Sequence, residues 1–323
     1  MLALIRDGQH DPPVALRDVA EPEPGPDEAL VEVRASSLNR GELALLSTRP
    51  DGWRPGQDIA GVVTEPAASG EGPPTGTRVV GLVEGAAWSQ RLAVPITRLA
   101  ALEDTVSFED AATLGLAGRT ALRTVRLAGP LLGRSVLVLG AGGGVGHLVV
   151  QLAAHAGARV TAQLRDPGRA SELIDVGGAR VMTGDEVKPA AFDVVLDGVG
   201  GASLERAVDA IRPEGTIVLY GATDPQPAKV TLLDFIGHEG ARILTYFSYA
   251  SGDEASIGAD LAALAELVAR GQLRPTVGAV IDWGEARPAL AALGAGQVAG
   301  KAVLTIGGNR EHAGQFKTRS IGC

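Results

Sequence analysis

Cysteine is nearly absent: the one Cys among 323 residues is Cys323, so neither an intrachain disulfide nor a cysteine-rich zinc site can form. Aromatic side chains are scarce at 3%, which leaves Ala, Val and Leu, within a hydrophobic content of 45%, to fill the interior. No apolar run approaches the length that crosses a bilayer, so no membrane partner is expected. No block of Lys and Arg occurs and the net charge is −9, which excludes the basic face that nucleic-acid binding needs. The histidines form no grouping: His147 and His155 share a predicted helix, while His10, His238 and His312 are scattered. Neither a Gly-x-Ser-x-Gly elbow nor a His-Glu-x-x-His helix is present, so hydrolase chemistry has no support. The opening Met1–Asp7 turns polar at once, so no signal peptide is expected and a cytoplasmic location is.

Glycine is what the chain has in quantity, 44 residues interleaved with apolar periodic segments. The first third reads as β-rich. Val31, Val33 and Ala35 share one face of a strand and Glu32 and Arg34 the other; 58–63 and 77–83 are further strands, separated by Pro/Gly-rich turns. A long helix is expected over 108–125. Strand and helix then alternate: strand 135–139, helix 145–156, strand 158–164, helix 167–176, strand 192–196, helix 202–212 ended by Pro213, strands 216–220 and 242–246. Ser135–Leu139 is an unbroken apolar run, as in a strand buried on both faces of a parallel sheet. The alternation predicts a doubly wound parallel sheet. An amphipathic helix is expected at 260–270 and a strand at 302–306 that returns to the first domain.

The strongest local signal is Leu139-Gly140-Ala141-Gly142-Gly143-Gly144-Val145-Gly146, set between a predicted strand and a predicted helix. Gly142, Gly143, Gly144, Val145 and Gly146 allow the backbone to turn sharply and approach a pyrophosphate, whose charge meets the helix N-terminus. The end of the second strand selects between the nicotinamide cofactors. Arg165 and Arg169 suit the 2′-phosphate of NADPH. Asp166 suits the ribose hydroxyl of NADH, or alternatively caps the following helix with Pro167 as its first residue. NADPH is the favoured expectation and NADH the alternative.

Several segments together carry a family resemblance: Ala35-Ser-Ser-Leu-Asn39-Arg-Gly-Glu42-Leu43, Pro55-Gly-Gln-Asp58-Ile-Ala-Gly61, Leu116-Ala-Gly-Arg-Thr120-Ala121, Gly143-Gly-Val-Gly146, Asp197-Gly-Val-Gly200 and Gly300-Lys301-Ala-Val-Leu304. In this order, over about residues 1–306, the chain resembles the zinc-free quinone oxidoreductase branch of the medium-chain dehydrogenase/reductase superfamily. The resemblance implies an α/β protein, a Rossmann doubly wound parallel sheet plus a GroES-like β-barrel domain. The expected divisions are 1–115 barrel, 116–250 Rossmann domain, 251–308 return to the barrel and 309–323 a flexible tail. It further implies a cleft active site, a homodimer, and hydride transfer to a quinone or α,β-unsaturated carbonyl. An enoyl-thioester or biosynthetic-pathway reductase is a close alternative, and an NADPH-binding redox sensor or scaffold a more distant one.

Zinc-dependent relatives hold metal through Cys and His where this chain has Asn39 and Gln57, and Gly41 replaces a proton-relaying hydroxyl residue. Neutral amides are poor zinc ligands, so no zinc is expected. Asn39 is the candidate donor to the developing negative charge on a carbonyl oxygen, or else braces its loop. Glu42 and Asp58 are candidates for a proton pathway, for holding Arg40, or for structural roles. Trp53 is either a wall for a flat substrate or barrel packing. Thr120, Tyr220, Gly221, Phe247 and Lys301 match segments that line the nicotinamide or ribose in relatives. Two departures stand out: Thr183-Gly184 replaces an Asn-Tyr pair, and no Tyr occurs between Glu42 and Trp53.

Overall fold

The computed structural model describes residues 1–165, 168, 170–177, 179–183, 187–249, 252 and 254–307. Asp166, Arg169, Gly184 and the tail expected from 309 lie outside the described residues. The chain forms two compact units. One comprises Met1–Arg119, Asp253–Gly271 and the chain from Pro275; the other comprises Thr120–Gly252 with Gln272–Arg274.

The first unit begins with the hairpin β1 (Leu2–Arg6) and β2 (Val14–Asp18). There follow β3 (Glu28–Ser37), helix α1 (Arg40–Thr48), β4 (Asp58–Glu65), β5 (Arg78–Leu82), β6 (Arg91–Pro95) and β7 (Leu99–Ala101). Alternation decides which face of β3 is inside: Val31, Val33 and Ala35 are buried while Glu32 and Arg34 turn outward. The 108–125 segment is not one helix. It divides into α2 (Phe108–Ala112), a π turn (Leu114–Gly118) and α3 (Arg119–Leu127). The physical reason lies inside the turn, where the Leu116 N–H donates to the Asp58 carboxylate at 2.6 Å. Gly115 is required there, since a Cβ would sit 2.3 Å from Asp58 Oδ1.

The second unit is an alternating α/β layer. In chain order it contains β8 (Ser135–Leu139), α4 (Gly146–His155), β9 (Arg159–Leu164), α5 (Ala170–Gly177), β10 (Arg180–Thr183), β11 (Phe192–Asp197), α6 (Ala202–Ala210), β12 (Ile211–Leu219) and β13 (Arg242–Thr245). The strands are all parallel in the order β10-β9-β8-β11-β12-β13. This is the doubly wound order in which the winding reverses beside the first strand. Val136 to Leu139 have no exposed surface, and each such side chain contributes about 1.5–3 kcal/mol by leaving water. Pro213 does not end a helix at 212 as the sequence suggests. Helix α6 stops at Ala210, and Pro213 lies in an irregular stretch of β12 where pairing with β11 skips from Ile211 to Thr216. A residue without an N–H is tolerated at such a bulge.

The chain then rejoins the first unit with α7 (Ile257–Ala269), β14 (Val277–Asp282), α8 (Ala286–Gly294) and β15 (Lys301–Thr305). Strand β15 pairs antiparallel with β3, Val303 opposite Ser37 and Leu304 opposite Ser36. The completed sheet runs β14-β15-β3-β4-β5-β7, with β6 also on β3. Leu38, Leu46, Ile59, Trp88 and Trp283 lie in its core. Among the described residues no helix is long and apolar enough to cross a membrane.

After the π turn, Arg119 is fully buried against Asp260 of α7, with Nε 3.2 Å from Oδ2. Asp260→Ala takes a buried carboxylate from the Arg119 guanidinium and is expected to destabilise the first unit by roughly 3–5 kcal/mol, whereas Arg119→Met with Asp260→Leu recovers most of that loss. All three tryptophans, Trp53, Trp88 and Trp283, belong to this unit, so urea unfolding followed by tryptophan fluorescence measures it.

Candidate active site

Within the first unit, β3, the start of α1, the start of β4 and the start of β15 bring five polar side chains together: Ser37, Asn39, Glu42, Asp58 and Lys301. Asp58 has no exposed surface. Its Oδ1 accepts the Leu116 N–H at 2.6 Å; its Oδ2 accepts the Asn39 amide at 2.9 Å and the Ser37 hydroxyl. Lys301 Nζ donates to Asn39 Oδ1 at 2.5 Å and to the Leu38 carbonyl at 2.8 Å, and lies 3.9 Å from Asp58 Oδ2. These partners fix the Asn39 amide without ambiguity. An ammonium only donates, so the atom facing Lys301 is oxygen; a carboxylate accepts, so the atom facing Asp58 is nitrogen. One of the two Asn39 amide hydrogens goes to Asp58 and the second has no partner among the described residues.

Glu42 lies in the first turn of α1, with no exposed surface, and its Oε2 accepts the N–H of the N-cap Asn39 at 2.8 Å. Glu42 Oε1 is buried without a hydrogen bond. Burial first, and the Asp58 carboxylate second, push the Glu42 pKa up to about 8; the Asn39 N–H, the Lys301 charge and the Gln57 backbone pull the other way. Lys301 is pushed down by burial, while Asp58 and Glu42 hold it up. The pattern is a protonated acid beside a lysine–aspartate pair bridged by an amide.

This arrangement changes several expectations. Glu42 and Asp58 are not solvated and do not hold Arg40, which is exposed. Lys301, assigned by resemblance to the nicotinamide or ribose, turns its ammonium into the Asn39–Asp58 cluster. Trp53 stands apart from the cluster, packing on the core of the first unit with Arg49 5.8 Å over its ring. Ser37 and the Leu116 N–H were not singled out, although Ser36-Ser37 lies within the quoted motif. No sequence period reveals that a π turn frees a backbone donor.

In the second unit, glycines converge on the carboxyl ends of three adjacent strands. Gly140, with φ +74, ends β8 and begins the loop to α4. A Cβ on Gly146 would lie 2.2 Å from the Gly140 carbonyl oxygen, one on Gly140 2.8 Å from Val199, and one on Gly221 2.4 Å from the Gly198 oxygen. Gly142 and Gly144 are half-buried and Gly143 is exposed, with Val145 at the N-cap of α4. Beneath them Asp197 Oδ1 accepts the Val199 N–H (2.8 Å), the Gly200 N–H (3.3 Å) and the Ser203 hydroxyl (3.0 Å). Asp197 Oδ2 and the Tyr220 hydroxyl are buried without hydrogen bonds. Burial pushes the pKa of both upward. A backbone cradle that side chains would fill, with orphaned buried polar atoms below it, fits a dinucleotide at the reversal of winding. Thr120 is buried at the start of this unit, Arg165 is exposed after β9, and Phe247 is 63% exposed with its ring 5.3 Å from that of Tyr249.

The parallel sheet with its glycine crossover and the separate sheet bearing a buried polar cluster define a two-domain protein of Rossmann plus GroES-like build. Comparison with known proteins agrees. A family model described as zinc-binding dehydrogenase matches residues 169–304. The Spectinabilin polyketide synthase system protein NorB of Streptomyces orinoci is 35% identical over 292 residues, covering 87% of this chain and 13% of that protein. The 2-methylene-furan-3-one reductase of Solanum lycopersicum is 33% identical over 229 residues, 64% of this chain and 58% of that one. The chain thus spans less than two thirds of either relative. The crystal structure of an alcohol dehydrogenase superfamily protein from Novosphingobium aromaticivorans superposes with a TM-score of 0.85 at 26% identity, covering 95% of this chain and 100% of that one. In fold and in these likenesses the chain is similar to the medium-chain dehydrogenase/reductase superfamily.

The sign of the Glu42 effect on stability follows from proton counts. Its folded pKa, about 8, exceeds the ordinary 4.5, so between these values the folded state holds a proton that unfolding releases. Stabilisation is complete below the lower value and is lost as pH rises through the upper. The urea midpoint of the tryptophan signal is expected to fall between pH 5 and 8 in the native protein, a slope that Glu42→Gln flattens.

Proposed function

We propose that this chain is a zinc-independent, NADPH-dependent reductase that adds two electrons and two hydrogens to an α,β-unsaturated carbonyl or a quinone. The observation that carries the reading is the Asn39 amide, locked between Lys301 and Asp58 with one N–H left over. Hydride addition to an enone or quinone places negative charge on oxygen, and a fixed neutral donor stabilises that charge at no cost of reorientation. The donor set does not fit zinc. Asn39 and Gln57 are amides, an ammonium already occupies the Asn39 oxygen, and the described residues hold no cluster of His, Cys, Asp or Glu suited to a metal.

A nicotinamide bound at the glycine cradle supplies the hydride. The chain's part is to hold and orient it: Gly140 to Gly146 admit the pyrophosphate, and the start of α4 meets its charge. Arg165, exposed directly after β9, is the described side chain suited to a 2′-phosphate. In the first unit Lys301 and Asp58 hold the Asn39 amide, and Glu42 keeps a proton at neutral pH within hydrogen-bond reach of the Asn39 backbone. The enone reductase among the relatives supports this acceptor class. The polyketide synthase relative favours a second reading, in which the unsaturated carbonyl is an enoyl thioester.

Consumption of NADPH and NADH, followed by the absorbance of the reduced nicotinamide, tests the proposal against panels of enones, quinones and enoyl thioesters. Turnover that prefers NADPH is the expected result, and failure of both cofactors to bind overturns it. Asn39→Ala is expected to lower kcat by roughly 100-fold, the scale of losing one oxyanion donor, with cofactor affinity retained. Gly146→Val is expected to abolish cofactor binding while the tryptophan-monitored stability of the first unit is kept, because its side chain collides with the Gly140 carbonyl. Arg165→Ala is expected to narrow the preference for NADPH over NADH, read as the ratio of kcat/KM values.

A further inference from the structure

Arg54 lies in the segment between α1 and β4, and its backbone is held firmly. The N–H groups of Ala86, Ala87 and Trp88 donate to the carbonyls of Arg54 (2.9 Å), Gly56 (3.1 Å) and Pro55 (3.2 Å). This clasp is strained. Ala86 adopts φ +65, a left-handed conformation uncommon outside glycine, and the Ser89 hydroxyl holds its carbonyl at 2.6 Å. Gly56, at φ +94, admits the Trp88 indole 2.3 Å from where its Cβ would stand.

The Arg54 side chain, in contrast, is half-buried and has no hydrogen bond or ion pair among the described residues. Nε and Nη2 are shielded from solvent and neither makes a hydrogen bond. Eight other arginines of the first unit, Arg6, Arg17, Arg34, Arg78, Arg91, Arg98, Arg119 and Arg270, find carboxylates, so the unit readily pairs this side chain where an acid is at hand. Asp51, the acid nearest in sequence, is already taken by Arg6 and the Gly8 N–H. Burial alone acts on the Arg54 guanidinium, pushing its pKa down with no neighbouring charge to offset it. A half-buried cation with two of its nitrogens shielded and unpartnered among the described residues, on a rigid and strained backbone, carries a desolvation penalty that an incoming anion relieves. The guanidinium fork matches the paired oxygens of a carboxylate or phosphate. Asp58 of the buried cluster follows four residues later, at most about 14 Å along the chain.

We infer that Arg54 is a recognition site for an anionic group, carboxylate or phosphate, carried by the acceptor at a distance from its reducible bond. The inference rests on the reductase reading for the word acceptor, but its test is read by binding and not by turnover.

Two matched pairs of probes separate the sources of the anion. The first is (E)-4-oxopent-2-enoate and its methyl ester; the second is crotonyl-pantetheine 4′-phosphate and crotonyl-pantetheine. Affinities are measured by calorimetry on the full chain. The anionic member of at least one pair is expected to bind about tenfold or more tightly than its neutral twin, the scale of charge-assisted hydrogen bonds. That preference is expected to vanish in Arg54→Met and to persist in part in Arg54→Lys, which keeps the charge but loses the fork. A preference confined to the phosphate pair assigns the site to a thioester carrier, and one confined to the carboxylate pair assigns it to a free acid. Equal affinities in both pairs, or a preference that survives in Arg54→Met, overturn the inference. Arg54→Met is expected to melt no lower than the native chain, which checks its folding. Preference without turnover defeats the reductase reading alone; turnover without preference defeats this one alone.

Discussion

A carboxylate with no exposed surface needs donors, and the first unit is arranged around supplying them to Asp58. Ser37 comes from the end of β3, Asn39 from the cap of α1, and the Leu116 N–H from a π turn. Each donor has a local consequence. The π turn interrupts a sequence that otherwise reads as one helix, and Gly115 is obligatory within it. The Asn39 amide is oriented by the same contact and by Lys301, so the group suited to stabilising an oxyanion is positioned as a by-product of satisfying a buried charge. Glu42, with a single firm donor and the Asp58 charge nearby, keeps its proton instead. The same Asn39 residue thus serves both acids, its amide donating to Asp58 and its backbone N–H to Glu42.

The second unit is simpler in physical terms. Parallel strands place all their carboxyl ends on one side, and where winding reverses beside β8 a gap opens between helices that leave in opposite directions. Glycines at 140, 146, 198 and 221 bring the backbones of three loops into contact there, at separations that any side chain would prevent. Asp197 then gathers the N–H groups of the second loop as a structural anion from below. The cradle is a surface of backbone donors held by packing, with little dependence on which side chains surround it.

Most of this second unit was legible in the sequence, because unbroken apolar runs such as Ser135–Leu139 and the glycine spacing after them are local signals. The short edge strand β10 was not read, since Arg180–Thr183 carries no apolar run. The first unit was less legible. The pairing of β15 with β3 and the meeting of Lys301 with Asn39 join residues remote in sequence, and no periodicity encodes such contacts. Asn39, Glu42 and Asp58 were identified as chemically notable from their types and the motif around them, but their mutual arrangement was not. Lys301 was assigned to the cofactor because its segment matches one that lines cofactor in relatives; the hydrogen bonds show where its charge goes. Pro213 misled for the opposite reason: a residue that ends helices also sits at strand bulges, and the sequence does not say which.

The separation of 262 residues between Lys301 and Asn39 has a consequence for synthesis. Strand β15 follows the whole of the second unit in the sequence, so the first unit waits, without that strand and without the cation of its buried cluster, while the second unit is made. The second unit, apart from Gln272–Arg274, is contiguous from Thr120 to Gly252. It can complete its sheet while Ala35–Ser37, the end of β3 that pairs with β15, still lacks that partner. The open end of β3 is the edge that a nascent chain must keep from pairing elsewhere.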